Sequence, residues 1–265
     1  KFDYQFLIDL LSLQPQTMNN YASTFLNPKC TSQQLDLFIH RKSILKALNK
    51  KLANFHGHVL DVGCGQMPYK SLLVSSKTDV TKYIGLDFEV NPIHNNNPDI
   101  VWEDNKIPLA DNTIDCSLAT EVLEHCPNPE EVLDEIHRVL KPGGFFFFTV
   151  PFLWPLHEVP FDQYRYTPFA LKRHMGNSGF VNIELRALGG WDASLAQMLG
   201  LWVRRRPGLN PLFRKLLSIV SVPLISYLHK IDKKPEVFCE SSMITGLCGL
   251  AQKANNQFHN NNSLR

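Results

Sequence analysis

Apolar residues recur along this chain in two rhythms, one with the spacing of a helix and one in the short runs of buried strands. Over 35–48 (LDLFIHRKSILKAL) apolar residues recur at roughly helical spacing, with basic residues between them. From residue 57 onward, short apolar runs predict strands. These runs are HVLDVG (58–63), YIGLDF (83–88), DIVW (99–102), IDCSLAT (114–120), FFFFTV (145–150), GFVNIEL (179–185) and MITGLCGLAQK (243–253).

One predicted helix, PEEVLDEIHRVL (129–140), is marked at both ends. It begins with proline and two glutamates, stops at Lys-Pro-Gly-Gly, and places its apolar residues on one face. Strands that alternate with helical segments predict an α/β fold, with a mostly parallel sheet and helices on both faces. Ligands bind such sheets at the carboxyl ends of the strands, so the motifs that follow strands are the candidates for a site.

Composition and charge narrow the function. Of the 265 residues, 44% are hydrophobic and 20% charged, as in an ordinary globular protein. The net charge of +2 gives no strong field for nucleic acid. The six cysteines have no CxxC spacing, which favours reduced thiols in a cytoplasmic protein over disulfides or a metal site. No uncharged apolar run reaches 18 residues, so we predict no classical membrane span.

The first predicted parallel strand ends in a glycine turn, LDVGCG (60–65). Gly63 and Gly65 allow a tight turn and a close approach of the backbone to a ligand. Asp87 ends the next strand, 22 residues after Gly65, where a carboxylate can accept hydrogen bonds from ribose hydroxyls. The third glycine of a dinucleotide fingerprint is missing, and so is a GKS or GKT phosphate loop. The pattern therefore predicts a nucleoside ligand without phosphates.

Four ordered segments resemble class I S-adenosylmethionine (SAM)-dependent methyltransferases, and most resemble the type 11 methyltransferase-domain group. They are LDVGCG, GLDFE, IPLADNTIDCSLATEVLEH (107–125) and LKPGG (140–144), and the resemblance covers about 57–185. It implies a Rossmann-like sheet of seven strands whose last strand is antiparallel. It also implies SAM as the cofactor, S-adenosylhomocysteine (SAH) as its product, and no metal.

The resemblance also implies positions for the cofactor. Asp61, Gly63, Cys64 and Gly65 would line its methionine end, and Asp87 would bind the ribose, with Phe88 beside the adenine. Asp104 would lie near the adenine amino group, with Asn105 close by. Thr120, Glu121 and Val122 would form the floor under the sulfonium. For some acids a structural role stays open: Asp104 could be a turn acid, Glu121 or Glu124 could open a helix, and His125 could be structural or catalytic.

A proline-rich stretch, PFLWPLHEVPFDQYRYTP (151–168), follows the fifth strand. Its four prolines exclude a regular helix or a central strand. In the resembled fold this stretch would be the acceptor-side wall. His157 is the candidate base, and Glu158 or Asp162 could orient it or bind acceptor hydroxyls. Tyr164, Arg165 and Tyr166 could hold a polar or anionic acceptor.

The alternative for this stretch is a rigid lid, in which Arg165 pairs with Asp162 or Glu158 and the tyrosines pack. The two interpretations are compatible. HEVPFDQYRYTP also resembles a bacterial subgroup encoded with surface-glycan genes, which implies a glycan-type acceptor by association.

An insertion of about 55 residues precedes the last strand. Within 201–234, basic residues flank the 13-residue apolar run LLSIVSVPLISYL (216–228), in which Pro223 would kink a helix. The run is too short to span a bilayer, but its composition suits a membrane surface with anionic lipid. A helix that covers the active site or forms a dimer face is the alternative. Peripheral contact with the inner face of the membrane would favour a lipid-linked acceptor.

The predicted organisation has three parts. Residues 1–56 form an N-terminal helical cap, 57–253 the SAM-binding domain, and 254–265 a disordered tail. Within the domain, 151–178 is the acceptor-side lid and 189–240 the helical insertion, for which membrane association is one of the two interpretations.

The predicted function is methyl transfer to a small-molecule or glycan-type acceptor, at oxygen. The alternative is a non-catalytic SAM-fold protein that binds a partner or a membrane through 201–234. A nucleic-acid methyltransferase is disfavoured because ATEV stands where an NPPY-type motif would follow strand four. A dehydrogenase is disfavoured by the missing third glycine. The acceptor molecule and the oligomeric state stay open.

Overall fold

The computed structural model describes residues 18–88, 97–103 and 106–255, and its centre is one seven-stranded sheet. The strand order is β3-β2-β1-β4-β5-β7-β6, in which β7 runs antiparallel to both neighbours and the other pairs are parallel. The fold predicted from the sequence is therefore confirmed. The strands are β1 (His56–Val62), β2 (Asp79–Asp87), β3 (Ile100–Val101), β4 (Ile114–Thr120), β5 (Leu140–Pro151), β6 (Phe180–Ala187) and β7 (Gly246–Lys253).

Helices cover both faces of the sheet. Along β5 the phenylalanines alternate: Phe146 and Phe148 pack with α4 (Pro129–Val139) and α5 (Pro168–Asn177), while Phe145 and Phe147 pack with α2 (Leu35–Lys51) on the opposite face. The run FFFF is thus a central strand buried on both sides. The helices are α1 (Met18–Leu26), α2 (Leu35–Lys51), α3 (Lys70–Leu73), α4 (Pro129–Val139), α5 (Pro168–Asn177), α6 (Trp191–Arg205) and α7 (Pro211–Ile231).

The insertion before β7 forms two helices, α6 and α7, that pack on the N-terminal helix α2. A third apolar cluster joins Leu35 and Ile39 of α2 to Ala196 of α6 and Ile225 of α7. The contact between α2 and α6 is close at Gly200, where an added Cβ would lie 2.3 Å from the Leu35 carbonyl oxygen. The insertion is therefore fixed to the N-terminal cap.

The close approach at Gly200 predicts a loss of stability in the Gly200→Ala variant. The methyl group would meet backbone, which cannot rotate away, and we expect a cost of about 1–3 kcal/mol in the free energy of unfolding. Gly176→Ala in α5 is the matched control, because nothing lies within 4 Å of its added Cβ and alanine favours a helix. Thermal unfolding of both variants checks the prediction. Equal melting temperatures for the two variants would contradict it.

The helix α7 is longer than the apolar run that predicted it. Asn210 caps its start, since Asn210 Oδ1 accepts from the backbone N–H groups of Leu212 and Phe213 at 2.9 and 3.3 Å. Pro211 occupies the first turn, and the helix continues through Pro223. Within the described ranges, one helix, α7, is long enough and apolar enough to cross a membrane. This finding rests on length and composition alone. The sequence-based prediction differs because it counted only uncharged apolar runs, whereas α7 includes Arg214, Lys215 and Lys230.

Two predicted segments fall partly outside the described residues. Residues 1–17 of the predicted cap and 256–265 of the predicted tail belong there, while 18–54 is largely helical. The proline-rich stretch is described in full. It forms no regular element between the end of β5 at Pro151 and the start of α5 at Pro168, as its prolines predict.

Candidate active site

The glycine turn after β1 is held against the end of β2. The backbone N–H groups of Gly63 and Cys64 donate to the Leu86 carbonyl at 2.8 and 3.1 Å. Gly63 has φ +65°, and an added Cβ would lie 2.5 Å from the Val122 side chain. Glycine at position 63 therefore serves both the turn and the contact with the segment after β4.

Asp87 is fixed beside this turn at the carboxyl end of β2. Its Oδ2 accepts from the Gly65 N–H and its Oδ1 from the Phe88 N–H, both at 2.8 Å. Each carboxylate oxygen keeps a lone pair for a further donor. The carboxylate is buried at the wall of a cavity of about 460 Å³, and Phe88 also lines that cavity.

The cavity brings together most of the predicted cofactor residues. Its wall includes Gly63, Cys64, Gly65, Asp87, Phe88, Thr120, Glu121 and Val122. Asp61 does not line it: its buried carboxyl accepts a hydrogen bond from the Tyr83 hydroxyl. Burial raises the pKa of Asp61 to about 7. Asp104 and Asn105 lie outside the described residues, although the neighbouring Trp102 contributes to the wall.

The N-terminal helices supply a wall that the sequence did not predict. Tyr21 and Phe25 of α1 and His40 and Arg41 of α2 line the cavity. The Arg41 guanidinium lies 4.0 Å from the centre of the Phe25 ring, which joins the two helices. One feature of the sequence could have indicated this wall. His40 and Arg41 are polar residues that directly follow the apolar Phe38 and Ile39 in the predicted helix.

Glu121 lines the cavity in a strained conformation. Its φ is +59°, which is uncommon for a residue with a Cβ. Thr149 Oγ1 donates to Glu121 Oε1 at 2.7 Å, and His40 Nε2 lies 3.0 Å from Oε2. The His40 ring stacks on Trp154 of the proline-rich stretch at 4.4 Å between centres. Glu121 therefore connects the sheet, the N-terminal cap and the lid.

Asp162 and Arg165 lock the proline-rich stretch. Arg165 donates to both Asp162 carboxylate oxygens at 2.7 and 2.8 Å and also to the carbonyls of Trp154 and Pro155. Burial alone would raise the pKa of Asp162, but hydrogen bonds from Arg165 and the His157 backbone lower the pKa to about 2. Asp162 is therefore ionised throughout the working pH range, and it is a fixed acceptor.

The predicted acceptor-binding residues divide into two groups. Tyr164 donates its hydroxyl to the Pro127 carbonyl, and Tyr166 donates to the Leu123 carbonyl. With Arg165 and Asp162 these tyrosines form the rigid lid, and none of the four lines the cavity. His157 and Glu158 do line it. The lid interpretation and the catalytic interpretation thus apply to different residues of the same stretch.

His157 is oriented as a neutral imidazole. Its Nδ1 lies 3.1 Å from Asp162 Oδ2, so the ionised carboxylate favours the tautomer with the proton on Nδ1 and the lone pair on Nε2. Burial, reinforced by the neighbouring His125, lowers the pKa of His157. An imidazole fixed in this tautomer can accept a proton at Nε2 near neutral pH.

His157 belongs to a cluster that spacing in the sequence could not indicate, because its members come from two distant segments. The His125 and His157 rings are 4.7 Å apart, and His125 Nε2 lies 3.8 Å from Glu124 Oε1. Glu124 is fully buried, and its carboxylate oxygens have no hydrogen-bond partner among the described residues. Burial, with the nearby Glu121, raises the pKa of Glu124 well above its usual range.

The three side chains of this cluster also offer ligand atoms within 4.8 Å of one another, a spacing found in metal sites. The sequence predicted no metal, and that expectation stays a prediction. Turnover measured in the presence of a chelator tests this prediction.

Three comparisons bear on this site. Residues 60–148, about a third of the chain, match the family described as "Methyltransferase domain". This part of the chain is similar to a methyltransferase domain. The match contains the glycine turn, Asp87 and the segment 120–125, and it is narrower than the resemblance over 57–185.

Two curated relatives and one solved structure show the range of similarity to this domain. The mitochondrial 2-methoxy-6-polyprenyl-1,4-benzoquinol methylase of Dictyostelium discoideum is 38% identical over 76 residues, or 26% of this chain and 24% of that protein. The demethylmenaquinone methyltransferase of Staphylococcus saprophyticus is 25% identical over 194 residues, or 58% and 82%.

A SAM-dependent methyltransferase from Archaeoglobus fulgidus has a TM-score of 0.51 at 16% identity, covering 95% of this chain and 100% of that one. This likeness supports the fold. The chain spans about a quarter of the length of the Dictyostelium relative and of the 24-methylenesterol C-methyltransferase 3 of Arabidopsis thaliana.

Proposed function

We propose that this protein is a SAM-dependent methyltransferase that methylates a hydroxyl group of a small-molecule or glycan-type acceptor. The observation that carries the proposal is the pairing of two features in one cavity. At one wall Asp87 is held by the Gly65 N–H, and at another His157 is held by Asp162. The first suits a nucleoside, and the second suits removal of a proton.

The residues of the cavity fit SAM. The volume of about 460 Å³ is in the range of small-molecule sites. An added Cβ at Gly65 would meet nothing within 4 Å, so the turn leaves open space beside Asp87. Asp87 would hold the ribose hydroxyls, and Thr120, Glu121 and Val122 would form the floor under the sulfonium. SAM, when bound, supplies an activated methyl group.

The tautomer of His157 favours an oxygen acceptor. A neutral hydroxyl is a weak nucleophile, and it reacts faster when a base accepts its proton. The Nε2 lone pair of His157 would accept that proton, and Asp162 would stabilise the imidazolium that forms. Glu158, also at the wall, would bind further hydroxyls. Several hydroxyls and a ring oxygen are features of glycans, which agrees with the HEVPFDQYRYTP resemblance.

We further propose a cytoplasmic location. All six cysteines are free thiols, and three of them are buried in the domain. Buried free thiols at these positions suit a reducing compartment.

The test is titration of SAM and SAH into the purified chain by calorimetry, followed by a screen of nucleotide sugars and lipid-linked glycans for SAH formation. We expect micromolar affinity, about −8 kcal/mol. We expect turnover to persist when a chelator is present, because proton removal by His157 needs no metal. Absence of SAM and SAH binding would overturn the proposal that the protein is an enzyme. It would favour the alternative, a non-catalytic protein that acts through the exposed helix α7.

A further inference from the structure

The helix α7 exposes apolar side chains around most of its circumference. A narrow buried side, formed by Ser218, Ser221, Ile225 and Leu228, contacts the rest of the protein. Only 22% of its most apolar 18 residues are buried. A surface helix normally directs polar residues toward water. The large exposed apolar area of α7 therefore indicates that this surface contacts a further partner. The exposed residues are Leu212, Phe213, Leu216, Ile219, Val220, Leu224, Tyr227 and Ile231.

The neighbouring helix α6 presents a second exposed apolar stripe. Its members are Trp191, Leu195, Met198 and Trp202, which recur at helical spacing along one side. Trp191 is 65% exposed, which is unusual for the largest side chain. We call these residues and the exposed residues of α7 the α6–α7 face. It carries two tryptophans and a tyrosine, the residues enriched where a membrane meets water.

The charge around the α6–α7 face is mostly positive, and the acidic residues Asp192 and Asp232 flank it. From residue 193 to 231 the sequence contains no aspartate or glutamate. Its basic residues lie at the two ends of the apolar part of α7, which suits an amphipathic helix that binds anionic lipid. They are Arg204, Arg205, Arg206, Arg214, Lys215 and Lys230, and Lys233 and Lys234 follow.

The two helices are held along the domain, which keeps the face directed outward. Asp232, directly after α7, accepts from the backbone N–H groups of Gly190 and Ala193 at the start of α6. At the other end of α6, Arg205 donates to Asp36 of α2 at 2.8 Å. α6 is therefore fixed at both ends, and the end of α7 is tied to the start of α6, so the outer sides of the two helices can enter the headgroup layer.

We infer that the α6–α7 face docks the protein on a membrane surface that carries anionic lipid. A second copy of the chain is a poorer occupant. In a twofold pairing of this face, basic ends would meet basic ends in either helix direction, with no acidic residue between 193 and 231 to neutralise them. Anionic headgroups neutralise both ends at once.

The face is also connected to the cavity. The Arg205 guanidinium lies 4.9 Å from the centre of the Trp154 ring, which lines the cavity and stacks on His40. The end of α6 and the acceptor-side lid therefore meet at Trp154. Resting on the proposed function, a docked face would bring the acceptor-side lid close to the membrane, which suits a hydroxyl-bearing headgroup on a lipid as the acceptor.

The test is flotation of the full chain with vesicles of phosphatidylcholine alone and of phosphatidylcholine with 30% phosphatidylglycerol. We expect binding to the anionic vesicles that falls as salt rises. One variant replaces Leu216, Ile219 and Leu224 by glutamine, which keeps helix propensity at exposed positions. A second replaces Lys215, Lys230 and Lys233 by glutamine. Each is expected to reduce binding by about tenfold or more, because the first removes apolar side chains that would be buried in the membrane and the second removes three basic residues near an anionic surface.

The control replaces Lys77, Lys82 and Lys172, exposed lysines elsewhere on the domain, by glutamine. It removes the same charge and is expected to leave vesicle binding unchanged. An equal loss of vesicle binding in the control would overturn the docking surface. So would a wild-type protein that binds no vesicles and is a dimer, if the Leu216, Ile219 and Leu224 changes make it monomeric. SAM titration of the same samples separates the two proposals: vesicle binding without SAM binding overturns the proposed function alone, and the reverse overturns the docking alone.

Discussion

Replacing Asp87 by alanine is expected to weaken SAM and SAH binding by about 100-fold or more. The Asp87 carboxylate is fixed by the Gly65 and Phe88 N–H groups, so its free lone pairs are already aimed at the cavity before a ligand arrives. A hydrogen bond to a charged group contributes about 1.5–3 kcal/mol, and a ribose has two hydroxyls to donate. Alanine removes both acceptors and leaves the Gly65 N–H without its partner.

The Asp87→Asn variant separates charge from shape. Asparagine keeps one oxygen, which can still accept from Gly65, but it loses the charge and one acceptor. We therefore expect an affinity between those of the wild type and the alanine variant. Asp79→Ala is the matched control, because Asp79 is an exposed acid at the opposite end of β2. Calorimetric titration measures all four proteins, and circular dichroism confirms that each is folded.

Two results would contradict the assignment of Asp87. The first is an alanine variant that binds SAH as tightly as the wild type. The second is an equal loss in the Asp79 control, which would indicate a general effect of charge or folding. A loss confined to the Asp87 variants would place the nucleoside at the glycine turn.

The sequence predicted the sheet well because the information that defines a buried strand is local. Each predicted strand overlaps an observed one, and IDCSLAT coincides with β4. The helix α7 was predicted too short because the apolar run alone was counted. Asn210 and Pro211 carry an ordinary helix-start signal that adds five residues before that run.

The site was predicted only in part because tertiary contacts complete it. His40 reaches Glu121 across 81 positions of sequence, and no local pattern links the two. Asp61 was predicted to be a cofactor residue because it lies in the glycine motif. In the structure, its carboxylate instead accepts a hydrogen bond from the buried Tyr83 hydroxyl. For the lid, proline content predicted the irregular backbone. The packing decided which of its side chains face the cavity.

Replacing His157 by glutamine is expected to lower kcat by about 10²- to 10⁴-fold, the usual contribution of a general base. Glutamine can still donate to Asp162, so the lid should stay closed, but it cannot accept a proton at neutral pH. SAM binding should change little, since Asp87 and the glycine turn are untouched. The rate of SAH formation, with the acceptor that supports turnover, measures the effect. His58→Gln, at an exposed position near the start of β1, is the control.

The pH profile separates a base from a structural histidine. Burial and the neighbouring His125 lower the pKa of His157 below its usual 6.5. The wild-type kcat/KM should therefore rise as pH increases through that lowered pKa and then stay level above pH about 7. Asp162 cannot cause this rise, because its pKa of about 2 keeps it ionised throughout. The glutamine variant should lose the rise along with most of the rate.

Asp162→Asn tests whether the carboxylate positions the imidazole. An asparagine amide can donate to Nδ1, which would favour the tautomer with its proton on Nε2 and remove the base from the acceptor side. We expect kcat to fall while the affinity for SAM is kept. A glutamine variant at 157 with wild-type kcat and an unchanged pH profile would show that His157 is structural. His125, whose ring centre lies 4.7 Å from that of His157 and which lines the same cavity, would then be the next candidate base.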